Sequence, residues 1–218
     1  MQTTVMVKRG MIAGIPIAIG YFPVAVTFGL TALAMGINKT EAILASMLIF
    51  AGAAQFALVN LIYSSPINAT LIPIFLNLRH LIYGCIVSQR LNVAKPFLTA
   101  FGLTDEVFAM SFKGDDEKFV WGLALVAYLA WVFGTVLGVL GGSIIVSNET
   151  IYPSLVFAFP ALFFILLISN LKSWHLASAL LGGFIALVFH FYNYSSLGIL
   201  LAGILTPPII LTLKRWFE

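Results

Sequence analysis

A few polar side chains stand in stretches that are otherwise apolar, and their types suit solute binding or proton chemistry: Gln55, Asn77, Arg79, His80, Asp105 and Glu106. An arginine at the centre of a membrane helix costs roughly 2.5–3.5 kcal/mol on insertion scales, so Arg79 needs a partner or water. Asn77, His80 and Gly84 fall at i, i+3 and i+7, on one helical face, with Arg79 about a quarter turn away. That face could hold a substrate carboxylate or relay protons; alternatively Arg79 snorkels to the interface, because Arg90 follows eleven residues later.

Asp105-Glu106 is a carboxylate pair in an apolar setting, where a carboxyl group takes up a proton more readily than in water. Proton coupling, an ion pair with Arg79, and capping of a helix by Thr104 or Asp105 are all open to these residues. Gln55 lies within Phe50-Ala51-Gly52-Ala53-Ala54-Gln55-Phe56, whose small residues allow another backbone to approach. It serves either an interhelical hydrogen bond, worth about 0.6 kcal/mol on average, or a substrate. Pro16 and Pro23 free backbone groups that can meet a charged solute, or else merely kink their helix. His175 and His190 sit near helix ends and receive no role.

The elements that position these residues follow from composition. Of 218 residues 61% are hydrophobic and 9% are charged, with mean hydropathy +1.06; soluble domains carry about a quarter charged residues. The charges are bunched, and the gaps between them are long enough for one or two helices of about 20 residues, the length that crosses a ~30 Å hydrocarbon core. The period-two alternation of a β-barrel is missing. The chain is therefore expected to be an all-α polytopic membrane protein, a single transmembrane domain over residues 1–218.

Seven to eight helical segments are predicted, at 11–36, 41–63, 66–88, 97–112, 119–141, 150–170, 174–192 and 195–213. The first carries Gly14, Pro16, Gly20, Pro23 and Gly29 and is expected to be kinked or broken. The fourth is short, contains Thr104-Asp105-Glu106, and is expected to be tilted or re-entrant. Of the 11 Lys and Arg residues all but Arg79 lie outside these segments, and all of those face one side if segments one and four both turn back. The positive-inside rule favours that arrangement and places the carboxy terminus, with Lys214-Arg215, in the cytoplasm. The amino terminus does not read as a cleavable signal peptide, because its apolar stretch is too long. Lys113-Gly114-Asp115-Asp116-Glu117-Lys118 is expected to be a loop and nothing more.

Phe28-Gly29 followed by Gly36 recurs as Phe133-Gly134 followed by Gly141. This is either a trace of two four-segment halves, a common transporter plan, or chance among 18 glycines. A phosphate loop, an H-E-x-x-H zinc motif, a G-x-S-x-G elbow and a T-V-G-Y-G filter are all missing, which argues against an ATPase, a hydrolase and a potassium channel. Cys85 is the single cysteine, so neither a disulfide within the chain nor a multi-cysteine metal site is expected. No catalytic residue, metal, cofactor or nucleic-acid partner is expected.

Three motifs in order, Phe50 to Phe56, Asn77-Leu78-Arg79-His80-Leu81-Ile82-Tyr83-Gly84, and Leu103-Thr104-Asp105-Glu106-Val107-Phe108-Ala109, resemble the AzlC family. Gly14-Ile15-Pro16 through Phe28-Gly29 also fits, and the likeness covers roughly residues 8–170. The resemblance implies a secondary permease of the bacterial cytoplasmic (inner) membrane that exports branched-chain or related apolar amino acids. It also implies a separately encoded small membrane subunit of the AzlD type as partner. The shared motifs contain Gln55, Asn77, Arg79, His80, Asp105 and Glu106. Tyr83 departs from the smaller or aliphatic residue expected there. Proton coupling is the expected drive, and the rival reading is a non-transporting subunit that stabilises a partner membrane protein.

Overall fold

The computed structural model describes residues 2–146, 173–192 and 194–217, with isolated positions between 150 and 168. Most of the sixth predicted segment, 150–170, lies outside the described residues. The chain divides into two compact units, Met1–Phe159 and Pro160–Glu218. All regular structure among the described residues is helical, as the composition predicts.

The first unit is organised around two long helices, α1 (Gln2–Ala34) and α7 (Glu117–Val146). At 1.5 Å per residue each is longer than the ~30 Å hydrocarbon thickness. They run parallel: Gly10 abuts Phe119 and Gly122, Gly14 abuts Leu123, Gly29 meets Thr135 and Gly138, and Gly142 faces Leu30 and Leu33. A Cβ on Gly10 would strike the Phe119 carbonyl, and one on Gly122 the Val7 carbonyl. Backbones this close gain dispersion contacts, which drive helix association where hydrocarbon supplies no hydrophobic force.

This packing corrects the expectation for the first segment. α1 runs unbroken through Pro16 and Pro23, held helical against α7 along its length. The break falls instead in the second segment, expected to be an ordinary span. There α2 (Lys39–Leu48) and α3 (Gly52–Leu61) are separated by Ile49, Phe50 and Ala51. Tyr63, just beyond α3, hydrogen-bonds the Gly36 carbonyl at 3.4 Å, so α2 and α3 form a hairpin that leaves from and returns to the end of α1. Asn38 and Glu41 start it with reciprocal capping bonds.

Helix α4 (Pro66–Arg90) then crosses back, and Arg90 donates to the carbonyls of Ser111 and Gly114 near the start of α7. The fourth predicted segment is a second hairpin, α5 (Pro96–Gly102) and α6 (Asp105–Ser111), which turns back as expected. The polar stretch 113–118 is more than a loop. Glu117 opens α7, and its buried carboxylate accepts from the Ala94 and Lys95 amides at 3.0 Å and from Thr99 Oγ1 at 2.6 Å. It therefore caps α5 from another element.

The second unit contains α8 (Ser173–Phe191) and α9 (Ser195–Phe217). They pack antiparallel, with Gly198 against Phe189 and Gly182 against Thr206.

Candidate functional site

The two hairpins enter the first unit from opposite ends, and their tips approach midway along α1 and α7. Gln55 sits one turn into α3 and is wholly buried. Its Oε1 accepts from Trp131 Nε1 at 2.8 Å, and its Nε2 lies 3.5 Å from Ser46 Oγ. Ser46 is 2.7 Å from Thr135 Oγ1, which donates to the Trp131 carbonyl at 3.1 Å. The chain of bonds joins both arms of the first hairpin to α7. Gln55 thus has the interhelical contacts of one of its two predicted roles, and its side chain is committed to protein partners.

The second tip is tied to two other helices. Thr104 caps α6, accepting from the Val107 amide at 3.3 Å, as anticipated for that residue. Asp105 pairs with Arg79 Nη2 at 2.9 Å and accepts from the Tyr83 hydroxyl at 2.6 Å, both on α4. Glu106 bonds the Tyr21 hydroxyl on α1, which also lies 2.7 Å from Thr104 Oγ1. Adjacent carboxylates therefore face different helices, as consecutive residues on a helix must. The ion-pair alternative for Arg79 is realised, and its Nε is buried without a hydrogen-bond partner among the described residues. Beyond its bond to Asp105, Tyr83 stacks on Phe108, with centroids 4.3 Å apart and planes 9° apart.

Between the tips and α4 lies a cavity of about 280 Å³. The break of the first hairpin, Ile49 to Ala51, forms one wall, and Asn77 and His80 form another. Asn77 Oδ1 is buried with no hydrogen-bond partner among the described residues, while His80 Nδ1 lies 3.2 Å from the Asn77 carbonyl. The structure thus brings Asn77 and His80 to the cavity, places Arg79, Asp105 and Glu106 in the adjoining polar cluster, and sequesters Gln55. Pro16 and Pro23 are not among the residues lining this cavity. Tyr21, Ser46, Trp131, Thr135 and Glu117 escaped the sequence reading. In apolar segments a tyrosine, tryptophan or hydroxyl looks like packing, and Glu117 is hidden among the charges of 113–118.

A helical bundle with two broken, re-entrant elements meeting at unsatisfied polar groups is the plan of a membrane protein that handles a solute. The chain belongs to the AzlC family of membrane transport proteins. The family model described as AzlC protein matches residues 16–145, and that of the MJ1155 family matches residues 150–218. An uncharacterized membrane protein of Archaeoglobus fulgidus is 48% identical over 95% of both chains. The branched-chain amino acid transport protein AzlC of Bacillus subtilis is 28% identical over 72% of this chain and 64% of its own length. The uncharacterized protein MJ1155.2 of Methanocaldococcus jannaschii is 54% identical over 31% of this chain and 92% of its own length. No solved structure matches the chain.

Proposed function

We propose that this chain is the transporting subunit of a secondary permease that moves branched-chain or related apolar amino acids outward across the cytoplasmic membrane. The observation that carries the reading is the cavity at the first hairpin's break. The last carbonyls of α2 and the first amides of α3 lack partners within their helices there, and Ala51 provides no side-chain cap. Opposite helix ends set side by side suit the two charges of an amino-acid zwitterion. Asn77 Oδ1, which has no partner among the described residues, adds an acceptor for the ammonium group. A volume of about 280 Å³ suits a small solute, at the lower end of ordinary ligand pockets. Apolar walls at Ile49, Phe50 and Leu103 suit an aliphatic side chain and discriminate one methylene by only about 1–3 kcal/mol.

The transport reading of the substrate is supported by the named Bacillus relative. Asp105 and Glu106 are the groups proposed to couple transport to protons. A small AzlD-type membrane subunit is the proposed partner, and residues 1–218 are proposed to belong to a single transmembrane domain. Lys8, Arg9, Arg90, Lys95, Lys113 and Lys118 lie at the α1 N-terminal end of the first unit and Lys39 at the other. The positive-inside rule makes the first of these ends cytoplasmic, and the carboxy terminus with Lys214-Arg215 is proposed to be cytoplasmic too.

The test uses proteoliposomes loaded with labelled leucine or valine, with and without the small subunit, under an imposed proton gradient. Saturable, gradient-dependent efflux is expected. Folded protein that moves neither amino acid under either condition would overturn the reading.

A further inference from the structure

Phe50 and Phe101 line the cavity of the substrate reading, but their mutual position does more than that reading uses. Phe50 stands in the break of the first hairpin, and Phe101 precedes the Gly102-Leu103-Thr104 turn of the second. Their ring centroids are 6.2 Å apart, and Tyr128 of α7 meets both, at 5.4 and 5.7 Å. Phe50 also meets the Tyr21 ring edge-on at 6.2 Å.

The two phenylalanines wall two cavities. One is the space of about 280 Å³ into which Asn77 and His80 bring polar groups. The other, of about 430 Å³, is apolar and is bounded by Val7, Leu98, Trp121 and Leu125. Apart from Phe50 and Phe101 the two linings share no residue. The second cavity draws its walls from the early turns of α1, α5 and α7, the end of the unit that carries Lys8, Arg9 and Lys95. Each hairpin has its own attachment, the first through Ser46 and Gln55, the second through Thr104, Asp105, Glu106 and Glu117. The rings meet across the gap by aromatic contact, which lacks the directional bond that would lock one tip to the other.

We propose that Phe50 and Phe101 form the closed barrier of the solute path, separating a polar chamber for the amino-acid head group from an apolar chamber that opens toward the α1 N-terminal end. The barrier opens when the two hairpin tips part, and the ring faces are the surface past which an aliphatic side chain slides. The proposal rests on the transport reading for the identity of the solute, whereas the barrier itself is testable without any solute.

The experiment places single cysteines on either side of the rings in a Cys85→Ser background, Ala51→Cys in the polar chamber and Leu98→Cys in the apolar one. A membrane-impermeant maleimide is applied to vesicles from the α1 N-terminal side. Leu98→Cys is expected to react and Ala51→Cys to be protected. Adding Phe50→Ala and Phe101→Ala is expected to speed labelling of Ala51→Cys at least tenfold from that side. Unchanged protection in protein that elutes and melts like the parent overturns the barrier. Should the double variant fail to fold, Phe101→Ala alone, at a half-exposed ring, is expected to give a several-fold increase, and none overturns the proposal. Parent protein that exports leucine while labelling ignores the rings sinks the barrier alone. Labelling that follows the rings in a protein that moves no amino acid keeps the barrier and sinks the substrate reading.

Discussion

Asp105 and Glu106 are neighbours with different company. Asp105 has a cation and a phenol on α4, whereas Glu106 has the Tyr21 phenol on α1. Asp105→Asn leaves the Arg79 guanidinium without its counter-ion. The pair is partly open to its surroundings, with side chains 35% and 21% exposed, so the loss should be about 1–2 kcal/mol, below that for a fully buried pair. Glu106→Gln keeps an acceptor for Tyr21 and should change stability by less than about 1 kcal/mol. Unfolding in mild detergent checks both values. If Glu106 is the proton carrier, its Gln variant transports leucine with a flat pH profile while Asp105→Asn keeps the parent's profile; the reverse result moves the role to Asp105. Glu117 has a larger structural task. Glu117→Ala strands two amides and the Thr99 hydroxyl and should cost about 3 kcal/mol, with Glu117→Gln losing roughly half as much. Equal melting of all three proteins would show that α5 does not depend on this cap. The partners of Arg79 and the cap at Thr104 could be anticipated, because an arginine and an isolated T-D-E in apolar surroundings have few uses. The bond from Glu117 to α5 could not, since it spans about twenty residues between unrelated elements and leaves no periodic mark.

Helical content and the turning back of the fourth segment were readable in the sequence because length and polarity are sufficient evidence for them. Prolines misled at the next level. Pro16 and Pro23 sit in a continuous α1, while the chain breaks at Phe50, where no proline stands. A proline withdraws one hydrogen bond, but close backbone packing on α7 holds its neighbours helical. The break at Phe50 is a tertiary event: Gly52 lies under the Trp131 ring, where a Cβ would come within 2.8 Å, and Gln55 and Ser46 are each bonded to α7 or to each other. The glycines of α1 and α7 therefore matter for distance rather than for flexibility. Gly122→Ala should cost about 1–3 kcal/mol by forcing the helices apart at Val7. Gly84→Ala, whose Cβ would meet nothing within 4 Å among the described residues, should be neutral or stabilise α4 by up to about 1 kcal/mol. A common melting temperature for the two variants would remove close packing as the organising contact.

At the scale of the whole chain, the parallel run of α1 and α7 bears on the Phe28-Gly29 and Phe133-Gly134 correspondence. Gly29 and Gly134 face each other's helices: a Cβ on Gly29 would come within 2.6 Å of the Thr135 carbonyl, and one on Gly134 within 2.6 Å of the Phe22 carbonyl. Matching segments that point the same way make any repeat built on them a parallel one rather than an inverted one, since α4 alone crosses fully between them. The second unit stands apart from that scheme in its relatives as well. Residues 150–218 match a family model of their own, and a polypeptide of Methanocaldococcus jannaschii is covered over 92% of its length by this part of the chain. Helices α8 and α9 are both long and apolar enough to cross a membrane, and they pair through Gly198 beneath Phe189. A hairpin of two spans satisfies its backbone internally and needs no further segment to enter a bilayer. Residues 150–218 expressed alone should therefore resist carbonate extraction and show a helical spectrum in detergent. Gly198→Leu, which drives a side chain into Phe189, should leave insertion intact but abolish a crosslink between Gly182→Cys and Thr206→Cys, positions that face each other across the two helices. A fragment that is extracted by carbonate would show instead that the first unit is required to install these helices.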